Sequence, residues 1–231
     1  MKLLNTKSVL KGEITPEQIE NLIAEYQSLD LGIVRAHLED ITNFEEDTVV
    51  CEGDLEIDGN FELFDNKICN LIVTGNLTVN GTLENFDDPA TMILVGKNLK
   101  AKNLITAGTL FVCGDLEIEN ALVGDYNDYS AEILGNASAG FFYPEEHHFE
   151  IGGEIRFDRA FGNTWRLNSD DNPVEFMTSK QGYHAFHEDL LVEPVEPELL
   201  PELADDDEFF EYLESRVLFK RIRDNQPIFK N

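Results

Sequence analysis

From about residue 48 onward, aliphatic residues alternate with polar ones in short bursts. The clearest are Leu55-Glu56-Ile57, Leu77-Thr78-Val79 and Leu116-Glu117-Ile118. Apolar side chains two positions apart give the period of a strand with one buried face. Each burst follows a glycine and an Asp or Asn: Gly53-Asp54, Gly75-Asn76 and Gly114-Asp115. Degenerate copies begin at Gly96-Lys97-Asn98-Leu99, Gly135-Asn136-Ala137 and Gly153-Glu154-Ile155. Leading glycines at 53, 75, 96, 114, 135 and 153 leave gaps of 22, 21, 18, 21 and 18 residues. A unit of about 20 residues cannot bury its own apolar face, so such a repeat signals a solenoid whose turns cover one another. The pattern predicts a mainly β protein, a single-stranded parallel β-helix of about six coils. Gly at each corner would supply a positive φ, and Asp or Asn would tolerate the bend beside it.

Outside the repeats the period becomes helical. Thr15-Pro16-Glu17-Gln18 has the N-cap, N1 proline and N3 glutamine of a capping box. Ile19, Leu22, Ile23 and Tyr26 then share one face. With a second segment from Val34 to Ile41, residues 1–47 read as a helical N-terminal cap. Residues 48–165 form the β-helix. Its last turns are rich in aromatics (Phe141, Phe142, Tyr143, Phe149, Phe157, Phe161, Trp165), which suits closing an end.

Residues 166–231 form an acidic C-terminal extension. Between Glu188 and Glu214 it holds 12 acids and no Lys or Arg, with Pro194, Pro197 and Pro201 keeping the first part extended. Asp205-Asp206-Asp207-Glu208 precedes Phe209, Phe210, Leu213, Val217 and Leu218, and Lys220, Arg221 and Arg223 follow. Acids at the start and bases at the end complement a helix dipole, which predicts one helix over about residues 205–223.

Charge narrows the functional classes. The 231 residues carry 46 Asp+Glu against 17 Lys+Arg, a net charge of −29. Phosphate repels such a surface, which argues against nucleic-acid binding and leaves a basic protein, or no partner at all. The 42% hydrophobic content, with 16 Phe, argues against a disordered chain. The N-terminus lacks the apolar stretch of a signal peptide and no apolar run is long enough to cross a membrane, so a soluble, cytoplasmic protein is expected. Cys51, Cys69 and Cys113 are odd in number and lack Cys-x-x-Cys spacing, the mark of neither a disulfide framework nor a zinc site.

Candidate chemistry is sparse. Gly-Asp repeats raise a calcium reading, which needs Asp at matching positions in consecutive turns. After the six leading glycines stand Asp54, Asn76, Lys97, Asp115, Asn136 and Glu154, and Lys97 would repel a cation. Glycine pairs such as 53 and 59 raise a hexapeptide acyltransferase, but gaps of 21 and 22 break that register and no lone His sits in a repeat. Neighbouring His147 and His148 would point to opposite faces of a strand and not share one ion, which favours one buried, hydrogen-bonded histidine beside an exposed one. His184 and His187 lack a third ligand. With no Ser-His-Asp order, P-loop or Gly-x-Gly-x-x-Gly, the reading is a protein without catalysis, cofactor or metal.

Two segments remain as partner-binding candidates. The loop Asp125-Tyr126-Asn127-Asp128-Tyr129 interrupts the coils and offers aromatic contact area; the plainer account is a solvated turn. The acids Asp205, Asp206, Asp207, Glu208 and Glu211 of the tail would meet a basic surface.

The repeat block, through Gly53-Asp54-Leu55-Glu56-Ile57-Asp58-Gly59 and its copies, resembles the bactofilin-like, polymer-forming β-helices over about residues 50–157. A closer resemblance, over about residues 50–229, is to bacterial immunity proteins found beside polymorphic toxins. It rests on Val73-Thr74-Gly75-Asn76-Leu77, Lys102-Asn103-Leu104-Ile105, Gly124-Asp125-Tyr126-Asn127, His147-His148-Phe149 and the ending Asn225-Gln226-Pro227-Ile228-Phe229. That resemblance implies neutralisation of a cognate antibacterial toxin in the cytoplasm, and the acidic charge points to a basic one. Covers for the coil ends, the Pro16–Tyr26 helix and the Phe141–Trp165 block, lead to the expectation of a monomer or small closed oligomer. The bactofilin-like one implies a scaffold that assembles through β-helix ends.

Overall fold

The computed structural model describes residues 9–11, 48–86, 91–125, 128–169, 174–191 and 213–230. The strands are β1 (Val9–Lys11), β2 (Thr48–Cys51), β3 (Leu55–Ile57), β4 (Phe61–Glu62), β5 (Asn70–Val73), β6 (Leu77–Asn85), β7 (Met92–Val95) and β8 (Leu99–Thr106). Then come β9 (Thr109–Val112), β10 (Leu116–Gly124), β11 (Ser130–Ile133), β12 (Ala137–Tyr143), β13 (His148–Ile151), β14 (Ile155–Phe157) and β15 (Leu167–Ser169). They wind into a parallel solenoid of about five turns with two sheets. Sheet A runs β1-β2-β5-β7-β9-β11-β13-β15, and sheet B runs β14-β12-β10-β8-β6-β3 with β4 also on β6. The parallel ladder passes residue 165: Phe149 to Ile151 pair with Leu167 to Ser169, and Ala160 bridges to Phe176.

Each glycine-led motif opens one strand of sheet B, and the inward residues stack in register: Leu55 beside Leu77, Leu77 beside Leu99, Leu99 beside Leu116, Leu116 beside Ala137. All five are buried in one core with Val73, Val95 and Val112 of sheet A. The side chains that follow the glycines form a second ladder along the corner. Asp54 Oδ1 accepts from the backbone N–H of Asn76 at 2.7 Å, and Asn76 Oδ1 accepts from that of Asn98 at 3.3 Å. Asn98 Oδ1 accepts from Asp115 N at 2.9 Å, Asp115 Oδ1 from Asn136 N at 2.8 Å, and Asn136 Oδ1 from Glu154 N at 2.8 Å. A short side chain with an acceptor oxygen satisfies the next corner's amide, which is why Asp and Asn recur. In the third copy Asn98 fills this place and Lys97 stands where the other copies have glycine; Val95 to Leu99 is no longer than Val73 to Leu77, so the glycine is displaced by one position without an insertion.

The glycines serve close approach more than unusual dihedrals. Positive φ was expected at every corner, yet of the six leading glycines only Gly53 has it, at 88°. A Cβ on Gly75 would lie 2.5 Å from the Gly53 carbonyl carbon, so that corner excludes a side chain, whereas the next corner in the stack takes Lys97.

Register shifts between Val79 and Thr82 and between Ile118 and Ala121 bend the long strands of sheet B. Before the bend the outward residues face solvent. After it, Ile105, Val123, Phe141 and Tyr143 belong to a second cluster with Phe186, Leu190, Leu218, Phe219 and Ile222 of the C-terminal extension. The extension therefore packs along the side of the rod. It holds α1 (Ser179–Ala185) and α2 (Ser215–Arg223) among the described residues.

Three expectations need correction. Residues 9–11 are a strand, antiparallel to β2, not part of a helical cap; the segments around 15–26 and 34–41 lie outside the described residues. The helix expected over 205–223 starts at Ser215, because Leu213 forms an antiparallel bridge with Leu191 and Glu214 is the N-cap; residues 205–212 lie outside the described residues. Trp165 closes nothing, being 84% exposed, whereas Phe142 stacks on Phe157 with centroids 4.4 Å apart.

Candidate partner-binding surface

The loop after β10 begins at Asp125, half-buried, whose backbone N–H donates to the Thr106 carbonyl at 2.9 Å. Asp128 is exposed and Tyr129 half-buried; Tyr126 lies outside the described residues. Asp125 faces the turn after β12, where Glu145 takes a left-handed φ of 46°. Ser215 Oγ, at the start of α2, donates to Glu145 Oε1 at 3.1 Å. Burial first, then the hydrogen bond to Asp125 and that group's charge, pushes the Glu145 carboxyl up to about 8. Glu146 next to it is ion-paired with Arg166. The Tyr143 hydroxyl is buried beside these acids without a hydrogen-bond partner among the described residues, and burial raises its pKa.

A second carboxyl group of contacts sits at the other end of α2. Arg223 Nε donates to Glu84 Oε2 at 2.8 Å and a second guanidinium nitrogen reaches Oε1, with the Glu84 side chain 5% exposed. Burial, a hydrogen bond with Asp65 and the charge of Glu84 push the nearby Glu62 carboxyl up to about 7. Thr82 Oγ1 and Asn103 Nδ2 both donate to the Ile222 carbonyl, which also accepts from the Asn225 N–H in the turn that ends α2.

Of the acidic tail, Asp205, Asp206, Asp207, Glu208 and Glu211 lie outside the described residues. The flanks of that stretch are placed: Leu191 is bridged to Leu213, and Asp189 takes Arg221 in a two-pronged contact, from Nε at 3.1 Å and from the terminal nitrogen at 2.8 Å. Loop and extension meet at Glu145, which touches both Asp125 and Ser215. Sequence reasoning passed over Glu145, because one acid among 46 carries no signal until its neighbours are known.

Chemically, both carboxyl clusters fasten the extension to the solenoid. Among the described residues no group of three His, Cys, Asp or Glu is arranged to hold a metal ion. His147 is buried, His148 and His187 are half-buried and His184 is exposed. The acids left to solvent include Glu52, Asp54, Glu56 and Asp58 on the first corner of the rod and Asp128 in the loop. No helix among the described residues is long and apolar enough to cross a membrane.

The fold defines a class, a mainly β parallel solenoid carrying helices on its side. No protein-family model matches the chain, and neither does any curated protein or solved structure.

Proposed function

We propose that the protein is an immunity protein, which binds a cognate basic antibacterial toxin in the cytoplasm and neutralises it stoichiometrically. The observation that carries this reading is the net charge of −29 on a rigid solenoid. A nuclease that grips phosphate needs a Lys/Arg cleft, and an acidic surface is complementary to it. Complementary fields raise association rates and suppress wrong partners. The exposed acids of the first corner and of the 125–129 loop, with Asp205 to Glu208 and Glu211 of the tail, are the proposed contacts.

The test is coexpression with the product of the adjacent gene. Copurification in a fixed ratio and survival of the host are the expected outcomes. Association kinetics should slow clearly between about 50 and 200 mM salt while dissociation changes less. A binding rate indifferent to salt would remove electrostatic capture as the mechanism. The bactofilin-like scaffold is the second reading, favoured by the stacked parallel turns. It needs open sheet ends, and at one of them β1 already lies antiparallel on β2.

A further inference from the structure

We propose that the protein forms a weak two-fold homodimer through the solvent-facing half of sheet B, two rods lying face to face and antiparallel. This goes beyond the inhibitor reading and does not depend on it.

The sheet register places six outward residues in one row across the rod: Glu56, Thr78, Lys100, Glu117, Ser138 and Arg156. They point away from the core because their neighbours along each strand point into it: Leu55 and Ile57, Leu99 and Ala101, Leu116 and Ile118. From one end of the row to the other the charges run negative, neutral, positive, negative, neutral, positive. Read backwards, the same row has every sign reversed.

A surface with that property is complementary to itself in one orientation. Place a two-fold axis along the strands, between β8 and β10. Glu56 then meets Arg156 of the second copy, Thr78 meets Ser138, and Lys100 meets Glu117. The other face-to-face arrangement, with each rung on its own equivalent, sets Glu56 on Glu56 and Lys100 on Lys100. Electrostatics therefore selects the antiparallel pair.

The row is available to a second copy. The Lys100, Glu117 and Arg156 side chains are 66%, 57% and 78% exposed, and the two neutral rungs are small hydroxyl residues that let the faces approach. Much of the rest of the solenoid's outer face is covered: Ile72, Met92, Leu94 and Phe111 of sheet A are buried, and the far half of sheet B lies under the extension, while Glu150 and Asn168 stay exposed on the last strands of sheet A.

Two features keep the dimer weak. Asp54 and Asp58 would approach Glu154 and Asp158 at the ends of the face, and the copies repel through their net charge of −29. The face is also small. Six rungs about 4.8 Å apart and an exposed strand length near 15 Å give roughly 400 Å² per copy, about half of a standard interface. The dimer belongs at high local concentration.

Sedimentation velocity on the full chain, up to about 1 mM, tests this. Glu56→Arg and Arg156→Glu should each weaken association by about tenfold or more, since each sets like charges against one another twice per dimer. The double variant should restore it. Glu56 and Arg156 stand on the first and last rungs, roughly 24 Å apart in one molecule, so rescue cannot arise within a single chain. The single variants move net charge in opposite directions, so a general charge effect would shift them oppositely. Unchanged melting temperatures establish that the variants are folded. A chain that stays monomeric throughout, single variants that associate as wild type does, or a double variant that stays weak would each overturn the proposal.

Discussion

Asn103 shows how much one side chain contributes where the rod meets its extension. It is 2% exposed. Its Oδ1 accepts from the Ala121 N–H at 3.2 Å, and its Nδ2 donates to Thr82 Oγ1, to the Ile222 carbonyl and to Asn225 Oδ1 at 3.1 to 3.2 Å. Asn103→Leu keeps the volume and removes every one of these contacts, leaving a buried amide and a helix-end carbonyl short of partners. The expected cost is about 2–4 kcal/mol in urea unfolding. Amide exchange should quicken over residues 213–230 before the solenoid responds; equal loss in both regions would show that Asn103 does not act on the extension in particular. The residue scale was legible in part. Gly followed by Asp or Asn announced a corner, but the hydrogen bonds that make it a ladder span 17 to 22 residues. No local pattern reports a partner at that distance, and Lys97 at the corner glycine's place shows how a displaced glycine misleads alignment by eye.

Among the elements, α2 is the one held by ionisable groups at both ends, Glu145 at Ser215 and Glu84 at Arg223. The Glu145 carboxyl stands at about 8 and Glu62 at about 7, both above their ordinary 4.5, chiefly through burial. A carboxyl whose folded value is raised contributes stability that is fully present below its unfolded value. That contribution is lost as pH rises through the folded value. Stability should therefore fall between about pH 5 and 8.5, with exchange in α2 rising in parallel. Asp189 is lowered by its hydrogen bond to Arg221, so its effect appears only in stronger acid, outside this window. Glu145→Gln, which keeps an acceptor for Ser215, should flatten the fall. Urea midpoints across that range measure it, and an unaltered slope in the variant would remove Glu145 as the source. The helix itself was legible in its basic last turn, Lys220, Arg221 and Arg223. Its start at Ser215 was not, because Leu213 bridges to Leu191 across the chain and no local pattern reports that pairing.

For the whole molecule, −29 charges on one rod make self-repulsion a property of the fold as much as of binding. The ion pairs that oppose it are few and mostly exposed, such as Lys100 with Glu117 and Lys220 with Asp224, and such pairs contribute little. Raising salt from about 20 to 500 mM should screen the long-range repulsion and raise the thermal midpoint by several degrees. A midpoint that drops with salt would mean that Arg223–Glu84 and Arg221–Asp189 outweigh the repulsion.

The sequence by itself determined the solenoid's interior. Alternation at Leu55, Leu77, Leu99 and Leu116 is a local property, and stacking identical corners needs only that each turn repeat the last. Tertiary structure decided where the extension lies. Phe141 and Tyr143 read as aromatics for closing an end, yet they face sideways and are covered by Phe186, Leu218 and Ile222, because the bend in sheet B turns the second half of each strand onto a new face. The same contact buries Glu84 against Arg223 and half-buries Glu145, whose carboxyl it pushes up. Burial depends on what arrives from 70 or 139 residues away, and periodicity within a strand carries no information about that.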